Sequence, residues 1–282
     1  MQSVTRAASI VAFTLLSLGV ATNAAFAQSA KPAAAKEAAK QDYTPQVGQE
    51  GKDVIWVPTP QSLVDRMLTM AQVKPTDYVV DLGSGDGRTV ITAVKKFGAT
   101  ALGIEYNPDM VELAKRAAEK EGVAGKAQFM KADIFQTDFS KATVLTMYLL
   151  PSLNVKLRPT ILNLKPGTRV VSHAFTMDDW EPDQVDSSEG RTAYMWIVPA
   201  KVAGTWKLDG PAKGAEVTMT QQYQKVGGSA KVDGKVANLT NAKVRGDSIT
   251  FSLDGKEYSG RVNGDRIEGS VAGGGKFSAT KS

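Results

Sequence analysis

The feature that most constrains the fold is a glycine-rich segment that directly follows a short apolar run. The run covers residues 77–81, and the segment Asp81-Leu82-Gly83-Ser84-Gly85-Asp86-Gly87 has the form D-x-G-x-G-x-G. Glycines in such a segment permit a tight turn from a strand into a helix, whose first amides then face a ligand. The segment therefore predicts the first strand and crossover of an open, mostly parallel sheet.

Strand-like and helix-like segments alternate from residue 77 to residue 200. Further strands are predicted at residues 101–105, 127–133, 142–150 and 168–175, with helices at 90–97, 107–120 and 152–163. Thr59 is expected to cap an earlier amphipathic helix in which Pro60 is the first residue. The alternation predicts a doubly wound, Rossmann-like, mostly parallel sheet with an antiparallel edge strand at 192–200.

The N-terminal sequence predicts export. Residues 1–27 have Arg6 as their only charged side chain, then an apolar stretch, then the small-x-small sequence Ala25-Phe26-Ala27. This pattern is typical of a cleaved secretory signal peptide, so the mature protein is expected to be periplasmic or secreted, with no membrane span. Residues 28–53, rich in Ala, Lys and Gln, predict a flexible linker before an α/β domain at 54–200.

The C-terminal residues 201–282 have a different composition. They contain 14 of the 26 glycines and an alternating apolar pattern, and V-x-G-D-x-I-x-x-S occurs at Val244 and again at Val262. We expect a small antiparallel all-β domain, either a meander or a partial barrel. It carries 13 Lys and Arg against 8 Asp and Glu. Because no aromatic residues alternate with these basic ones, no nucleic-acid partner is expected.

Charge decides which ligand suits the glycine-rich segment. Dinucleotide loops have the spacing G-x-G-x-x-G, but here the third glycine comes one residue early and Asp81 and Asp86 flank the loop, which disfavours a nucleotide-dependent oxidoreductase. S-adenosylmethionine carries a sulfonium and an ammonium group, both of which carboxylates stabilise. Glu105, 22 positions after Gly83, is expected to accept the ribose hydroxyls, and Asp133 to read the adenine amino group.

Several segments together resemble class I S-adenosylmethionine-dependent methyltransferases. They are DLGSGDGR, GIEYNP, KADIF, YLLPSLNVKLRP and LKPGTRVVSHAF. Over residues 54–200 the chain is most similar to the branch that includes the mitochondrial ATP-synthase c-subunit lysine methyltransferases and their bacterial relatives. The resemblance implies that Gly83, Gly85 and Glu105 contact the cofactor and that Asp133 faces the adenine. It does not extend to residues 201–282.

The expected site has a cofactor part and an acceptor part. The cofactor-binding residues are expected to be Thr59, Asp81, Gly83, Gly85, Asp86, Glu105 and Asp133. Tyr148 and Pro151 are expected to line the acceptor pocket, in a sequence that replaces the Asn/Asp-Pro-Pro-aromatic motif of amino-methyltransferases. The acceptor is a protein lysine or a small molecule. His173, the single histidine, is expected to be structural, and no metal site is expected because the carboxylates are scattered.

Two hypotheses about the whole protein remain open from the sequence, because S-adenosylmethionine is made in the cytosol whereas the N-terminus predicts export. The first is an exported methyltransferase. The alternative is an exported, non-catalytic binding protein that retains the fold and whose β domain binds a partner or a surface ligand. The presence of Asp81, Gly83, Gly85, Glu105 and Asp133 together favours the enzyme.

Overall fold

The structure is a computed structural model that describes residues 43–212 and 214–282. The predicted signal peptide and residues 28–42 of the predicted linker lie outside the described residues. The described chain forms two sheets, one mixed and one antiparallel. Among these residues, no helix combines the length and the apolar character needed to cross a bilayer.

The first sheet has seven strands in the order β3-β2-β1-β4-β5-β7-β6. These strands are β1 (Tyr78–Leu82), β2 (Thr100–Glu105), β3 (Ala127–Lys131), β4 (Val144–Met147), β5 (Arg169–His173), β6 (Gln184–Ser188) and β7 (Arg191–Ile197). Strands β1 to β5 are parallel, and β7 pairs antiparallel with both β5 and β6. The predicted Rossmann-like, mostly parallel sheet is confirmed.

Helices cover both faces of this sheet. On one face lie α1 (Gln61–Met70), α2 (Arg88–Phe97) and α3 (Pro108–Lys120), and on the other lies α4 (Pro151–Ile161). Successive residues of β1 point to opposite faces, so Val79 packs under the first group of helices and Val80 under α4. Both are fully buried, which explains why consecutive residues of β1 are apolar although they face opposite sides of the sheet.

Local capping signals set two of the helix ends as predicted. Gly98 ends α2 in the left-handed region at φ +71°, and the Asn107 side chain accepts from the amide of Asp109 (2.9 Å) at the start of α3. The prediction that Thr59 caps α1 is wrong. Pro60 is the N-cap of α1, without a side-chain cap, because the Thr59 hydroxyl instead hydrogen-bonds to His173, 114 positions away.

Two segments differ from their predicted roles. The strand predicted at residues 192–200 is antiparallel, but it is not the edge, since the unpredicted β6 pairs with its outer side. β6 is polar and largely exposed, so it has no apolar alternation to mark it. Residues 43–53, expected to be flexible linker, include the start of a hairpin in which Gly48 donates to the Trp56 carbonyl (2.9 Å).

The second sheet is antiparallel throughout. Its strands are β8 (Gly204–Asp209), β9 (Glu216–Gln222), β10 (Lys225–Val232), β11 (Lys235–Asn238), β12 (Thr240–Arg245), β13 (Ser248–Leu253), β14 (Lys256–Asn263), β15 (Arg266–Val271) and β16 (Lys276–Lys281). A pairing between β9 and β10 closes it into a barrel-like ring around a core that includes Trp206 and Phe251. The predicted small all-β domain is confirmed.

The internal repeat gives two equivalent hairpins of this sheet. Val244 faces Ile249 across the first Gly-Asp turn, and Val262 faces Ile267 across the second. All four side chains are buried, so the repeated valine and isoleucine positions are the inward-facing pairs of each hairpin.

Candidate functional site

A cavity of about 640 Å³ opens at the carboxyl ends of β1, β2 and β4. The chain runs from β1 outward to β2 and β3 and then returns to place β4 on the other side of β1, so this is the topological switch point of the sheet. Residues 49–59, the glycine-rich loop and residues 147–150 contribute to its walls. The predicted residues that line it are Thr59, Asp81, Gly83, Gly85, Asp86, Glu105, Asp133 and Tyr148.

The glycine-rich loop adopts backbone angles that favour glycine. Gly83, Gly85 and Gly87 have φ values of +74°, +53° and +81°. A Cβ atom on Gly85 would lie 2.6 Å from Nε1 of Trp56, and one on Gly83 would lie 3.2 Å from the Leu149 side chain. Backbone conformation and close contacts therefore both explain the glycines. Without side chains at these positions, the loop presents its backbone to the cavity.

Glu105 is held in place by two backbone amides. The amide of Gly85 donates to Oε2 and the amide of Asn107 donates to Oε1, each at 2.9 Å. An ionised carboxylate offers about four acceptor positions, so these two bonds fix its orientation and leave acceptor capacity for hydroxyl groups in the cavity. The last residue of β2 is thus tied directly to the glycine-rich loop.

Asp81 is the most perturbed acidic group in the cavity. It is 7% exposed, and Thr146 donates a 2.6 Å hydrogen bond to its Oδ1. Burial raises the pKa of Asp81 to about 7, and the nearby charges of Asp86 and Glu105 act in the same direction. A cation beside this carboxyl group would favour its ionised form.

Asp86 is already paired within its own loop. The Arg88 guanidinium donates from Nε to both carboxylate oxygens at 3.0 Å, and its Nη1 donates to the Thr59 carbonyl at 3.0 Å. From sequence, Asp86 counts as a free negative charge beside the cofactor. The structure instead makes the Asp86–Arg88 pair a tie between the glycine-rich loop and the segment before α1.

Asp133 lies just beyond the end of β3 and has two donors. Its Oδ1 accepts from the Phe135 amide (2.9 Å), and its Oδ2 accepts from the Lys52 ammonium (2.7 Å). The hydrogen bond from Lys52, followed by that from the Phe135 amide, lowers the pKa of Asp133. The carboxylate is therefore ionised at neutral pH and faces the cavity.

Tyr148 forms an aromatic wall after β4. Its ring centroid lies 3.8 Å from that of His173 and 6.0 Å from that of Phe175. His173 is 2% exposed, and burial lowers its pKa to about 4, so the imidazole is neutral at pH 7. It lies behind Tyr148, with Nδ1 3.1 Å from the Thr59 hydroxyl, which supports the structural role expected for it.

Pro151 is not brought into the cavity wall. It is the exposed first residue of α4, where its fixed φ and missing amide suit a helix start. Leu150, which precedes it, lines the cavity instead and is 44% exposed. The position of Pro151 therefore fits a helix-initiating role rather than contact with an acceptor.

Lys52, Trp56 and Phe175 are among the lining residues that sequence reasoning missed. The first two lie in or beside the segment interpreted as linker, and Phe175 follows the fifth strand. The apolar run of residues 54–57, which contains Trp56, was the local signal that this segment packs on something. Contacts over 29 to 81 residues bring Trp56 to Gly85 and Lys52 to Asp133.

The cavity is acidic. Six carboxylate residues line it, whereas Lys52 and Arg88 are its basic lining residues. The six are Glu50, Asp53, Asp81, Asp86, Glu105 and Asp133. Both basic groups are ion-paired to lining carboxylates, so the cavity as a whole attracts cations.

Comparisons with known proteins agree with this geometry. A family model described as the ANTKMT methyltransferase domain matches residues 81–184. A protein-lysine N-methyltransferase of Saccharolobus islandicus (strain REY15A) is 44% identical over 151 residues, which make up 51% of this chain and 94% of that protein. The ATP-synthase c-subunit lysine N-methyltransferase of Homo sapiens is 34% identical over 131 residues, 46% of this chain and 55% of that protein.

One solved structure is similar both in sequence and in fold. It is the crystal structure of an RNA methyltransferase from Salinibacter ruber in complex with S-adenosyl-L-homocysteine. The two chains are 51% identical, with a TM-score of 0.51, and the match covers 52% of this chain and 96% of that one. All three of these relatives are named as methyltransferases, so none supports a non-catalytic binding protein.

Proposed function

Because the chain belongs to the class I S-adenosylmethionine-dependent methyltransferases, we propose that it transfers a methyl group to the side-chain amine of a lysine in another protein. The acidic cavity carries this proposal. A lysine side chain is a cation that carboxylates attract, whereas the phosphates of RNA would be repelled by the same groups. The names of the Saccharolobus and human relatives, both lysine N-methyltransferases, support the same acceptor.

The chemistry of the lining groups fits the cofactor. Gly83 and Gly85 line the cavity without side chains of their own, which permits close approach of a ligand to the loop backbone. Glu105 has a fixed carboxylate with free acceptor positions for ribose hydroxyls, and Asp133 is an ionised acceptor for an adenine amino group. Asp81 is a buried carboxyl group that gains from a neighbouring cation.

When bound, the cofactor supplies a methyl group that its positively charged sulfur has already activated. The residues of the chain contribute alignment and exclusion of water around the acceptor amine. Tyr148, Leu150 and Phe175 form an apolar mouth in which a lysine ammonium loses hydration. Loss of hydration lowers the lysine pKa from its ordinary value of about 10.4, so the proton leaves to water and the nitrogen lone pair becomes available.

The acceptor is tested by labelling. Mature protein, residues 28–282, is incubated with tritiated S-adenosylmethionine and a cell-envelope extract from source cells that lack this gene. We expect label that protease releases and ribonuclease does not, and that runs as methyl-lysine after acid hydrolysis. Label in RNA, as the name of the Salinibacter relative indicates for that protein, contradicts a lysine acceptor.

The cofactor site is tested by calorimetric titration with S-adenosylmethionine and, separately, with NAD. We expect binding of the first ligand only. Glu105→Ala should weaken it by about tenfold or more, because two charge-assisted hydrogen bonds are lost. Glu119→Ala, an exposed glutamate on α3, is the matched control and should leave the affinity unchanged. Equal affinities for the two variants contradict the assignment of Glu105.

We also propose that the protein is exported, on the basis of the signal-like composition of residues 1–27. Fusion of these residues to a reporter enzyme that is active only outside the cytoplasm should give an active reporter. Replacing the apolar core with polar residues in the same fusion is the control and should abolish the signal. A silent reporter with the intact sequence contradicts export and places the enzyme with the cytosolic cofactor pool.

A further inference from the structure

A hairpin of residues 48–56 forms one wall of the cavity. Its own backbone bonds close it: Gly48 donates to the Trp56 carbonyl, Trp56 to the Gln49 carbonyl and Gly51 to the Val54 carbonyl, each at 2.9 Å. At its tip are Gly51 and Lys52, and its far end places the Trp56 indole against Gly85. The 48–56 hairpin thus reaches from the glycine-rich loop to the end of β3.

Few polar contacts hold this hairpin to the body of the protein. Among the described residues, its backbone hydrogen bonds are internal or to the adjoining Gln46. Within the part of the chain that the structure describes, its side chains make one hydrogen bond to the body of the protein, from Lys52 to Asp133 at 2.7 Å, and this contact is also an ion pair. Apart from the packing of Trp56 and the approach of the Lys52 ammonium to the rings of Tyr106 and Phe135, the position of the hairpin tip therefore depends on this contact.

The Lys52 ammonium has the surroundings expected for a flat, amino-bearing ligand. It lies 5.1 Å from the ring centroid of Tyr106 and 5.9 Å from that of Phe135. It donates to the same Asp133 carboxylate that, in the function proposed above, accepts from the adenine amino group. The lysine ammonium and the adenine amino group are both N–H donors. The ammonium is attracted to aromatic rings as a cation, and the adenine ring stacks on them.

The geometry points to Lys52 as an internal competitor of the cofactor: its ammonium holds Asp133 until the adenine amino group replaces it, and the 48–56 hairpin is the gate that this exchange opens. The inference rests on the proposed cofactor site. It assigns to the N-terminal segment, interpreted from sequence as linker alone, a role in controlling access.

The Lys52–Asp133 contact is weak enough to open. The two side chains are 34% and 16% exposed, so water screens their attraction, and pairs of this kind contribute little to stability. Mutual hydrogen bonding raises the pKa of Lys52 and lowers that of Asp133, so both stay charged at neutral pH. The pair therefore biases the hairpin toward closure without locking it.

The test is calorimetric titration of the mature protein with S-adenosylmethionine. Lys52→Met removes the competitor, and we expect binding about two- to fivefold tighter than in the wild type. Lys156→Met is the control for a nearby positive charge, because Lys156 lies 3.9 Å from the same Phe135 ring centroid and acts on Asp133 through space, without a hydrogen bond to it. Its affinity should stay at the wild-type value. Unchanged or weaker binding by Lys52→Met overturns the competition.

Two further titrations locate the effect at the carboxylate. In an Asp133→Asn background, Lys52→Met should change the affinity by less than it does alone, since the ion pair is already gone. The gain in affinity that Lys52→Met produces should be smaller for S-inosylhomocysteine, which lacks the adenine amino group, than for S-adenosylhomocysteine. An equal gain in both cases overturns the proposal. If the wild-type protein binds neither S-adenosyl ligand, the proposed function itself is contradicted. If the wild type binds both ligands and Lys52→Met leaves the affinities unchanged, only the competition by Lys52 is contradicted.

Discussion

Asp81 carries a charge that depends on what lies beside it. With a pKa of about 7, raised first by burial and then by Asp86 and Glu105, it is about half protonated at neutral pH. The ionised form is the one that stabilises a cation, so binding of a cationic cofactor releases the proton. A group with this behaviour makes cofactor affinity depend on pH near neutrality.

We predict that affinity for S-adenosylmethionine rises by about tenfold from pH 6 to pH 8 as Asp81 ionises. Calorimetry at half-unit pH intervals measures it. Asp81→Asn, which keeps the size of the side chain, should bind more weakly but with a flatter pH profile. The cofactor's own amine titrates equally in both proteins, so parallel profiles for variant and wild type contradict the role of Asp81.

His173 links pH to folding stability. Burial first, and the charge of Arg191 second, lower its pKa to about 4, against an ordinary value of 6.5. The unfolded chain therefore binds a proton between pH 6.5 and pH 4 that the folded chain does not. Stability from the neutral imidazole is fully present above pH 6.5 and is lost as the pH falls toward 4.

We predict that His173→Asn loses less stability than the wild type between pH 7 and pH 4, by about 3 kcal/mol at most. Urea unfolding followed by circular dichroism at each pH gives the comparison. The difference between the two proteins is the test, because the raised pKa of Asp81 stabilises the folded state on acidification in both. Equal acid sensitivity contradicts a neutral, buried His173.

At the scale of elements, the glycine-rich loop combines two requirements that a substitution can separate. Gly87 has φ +81°, and a Cβ there would lie 2.7 Å from the Phe129 ring and 2.8 Å from the Ala114 methyl group. Gly122, after α3, has a similar φ of +70° but no atom within 4 Å of the same position. Gly122 therefore isolates the cost of backbone conformation.

We predict that Gly87→Ala destabilises the protein by about 2–4 kcal/mol and Gly122→Ala by about 1 kcal/mol. Both substitutions carry the penalty of a left-handed backbone conformation. Gly87→Ala adds the overlap of its new methyl group with the side chains of Phe129 on β3 and Ala114 on α3. Urea midpoints of the two purified variants give the comparison. Equal losses contradict the tight packing of the loop against Phe129.

At the scale of the whole molecule, an interface between residues 179–180 and residues 223–224 joins the two sheets. Tyr223 of the β9–β10 turn stacks on Trp180 at 5.7 Å and donates to Asp179 (2.9 Å), while the Trp180 indole donates to Gln224 (3.0 Å). Trp180 is fully buried, and it follows the loop that presents Phe175 to the cavity. The barrel-like sheet therefore packs against the segment that follows the cavity-lining residue Phe175.

We predict a single calorimetric unfolding transition for both sheets. Tyr223→Ala should lower the midpoint by about 3–6 °C and broaden the transition, because roughly 1–2 kcal/mol of coupling is lost. Val236→Ala, 72% exposed at the distal hairpin of the same sheet, is the control and should change little. Two transitions in the wild type would contradict cooperative unfolding of the two sheets through this interface.

What the sequence determined is local. Apolar runs, Gly98, Asn107 and the glycine-rich loop specify the alternating elements of residues 77–173, because periodicity and capping act over a few residues. The Val-Ile repeat specified two barrel hairpins in the same way. Glycine spacing and neighbouring carboxylates were enough to predict the cofactor class that the relatives support.

The tertiary structure decided what depends on residues far apart in the chain. The pairing of β8 with β16 that completes the ring, the use of the Thr59 hydroxyl by His173 and the approach of Lys52 to Asp133 have no local signature. The last two contacts span 114 and 81 residues. Long-range contacts form only because packing of the sheet brings these atoms within bonding distance, and no short window of sequence records that geometry.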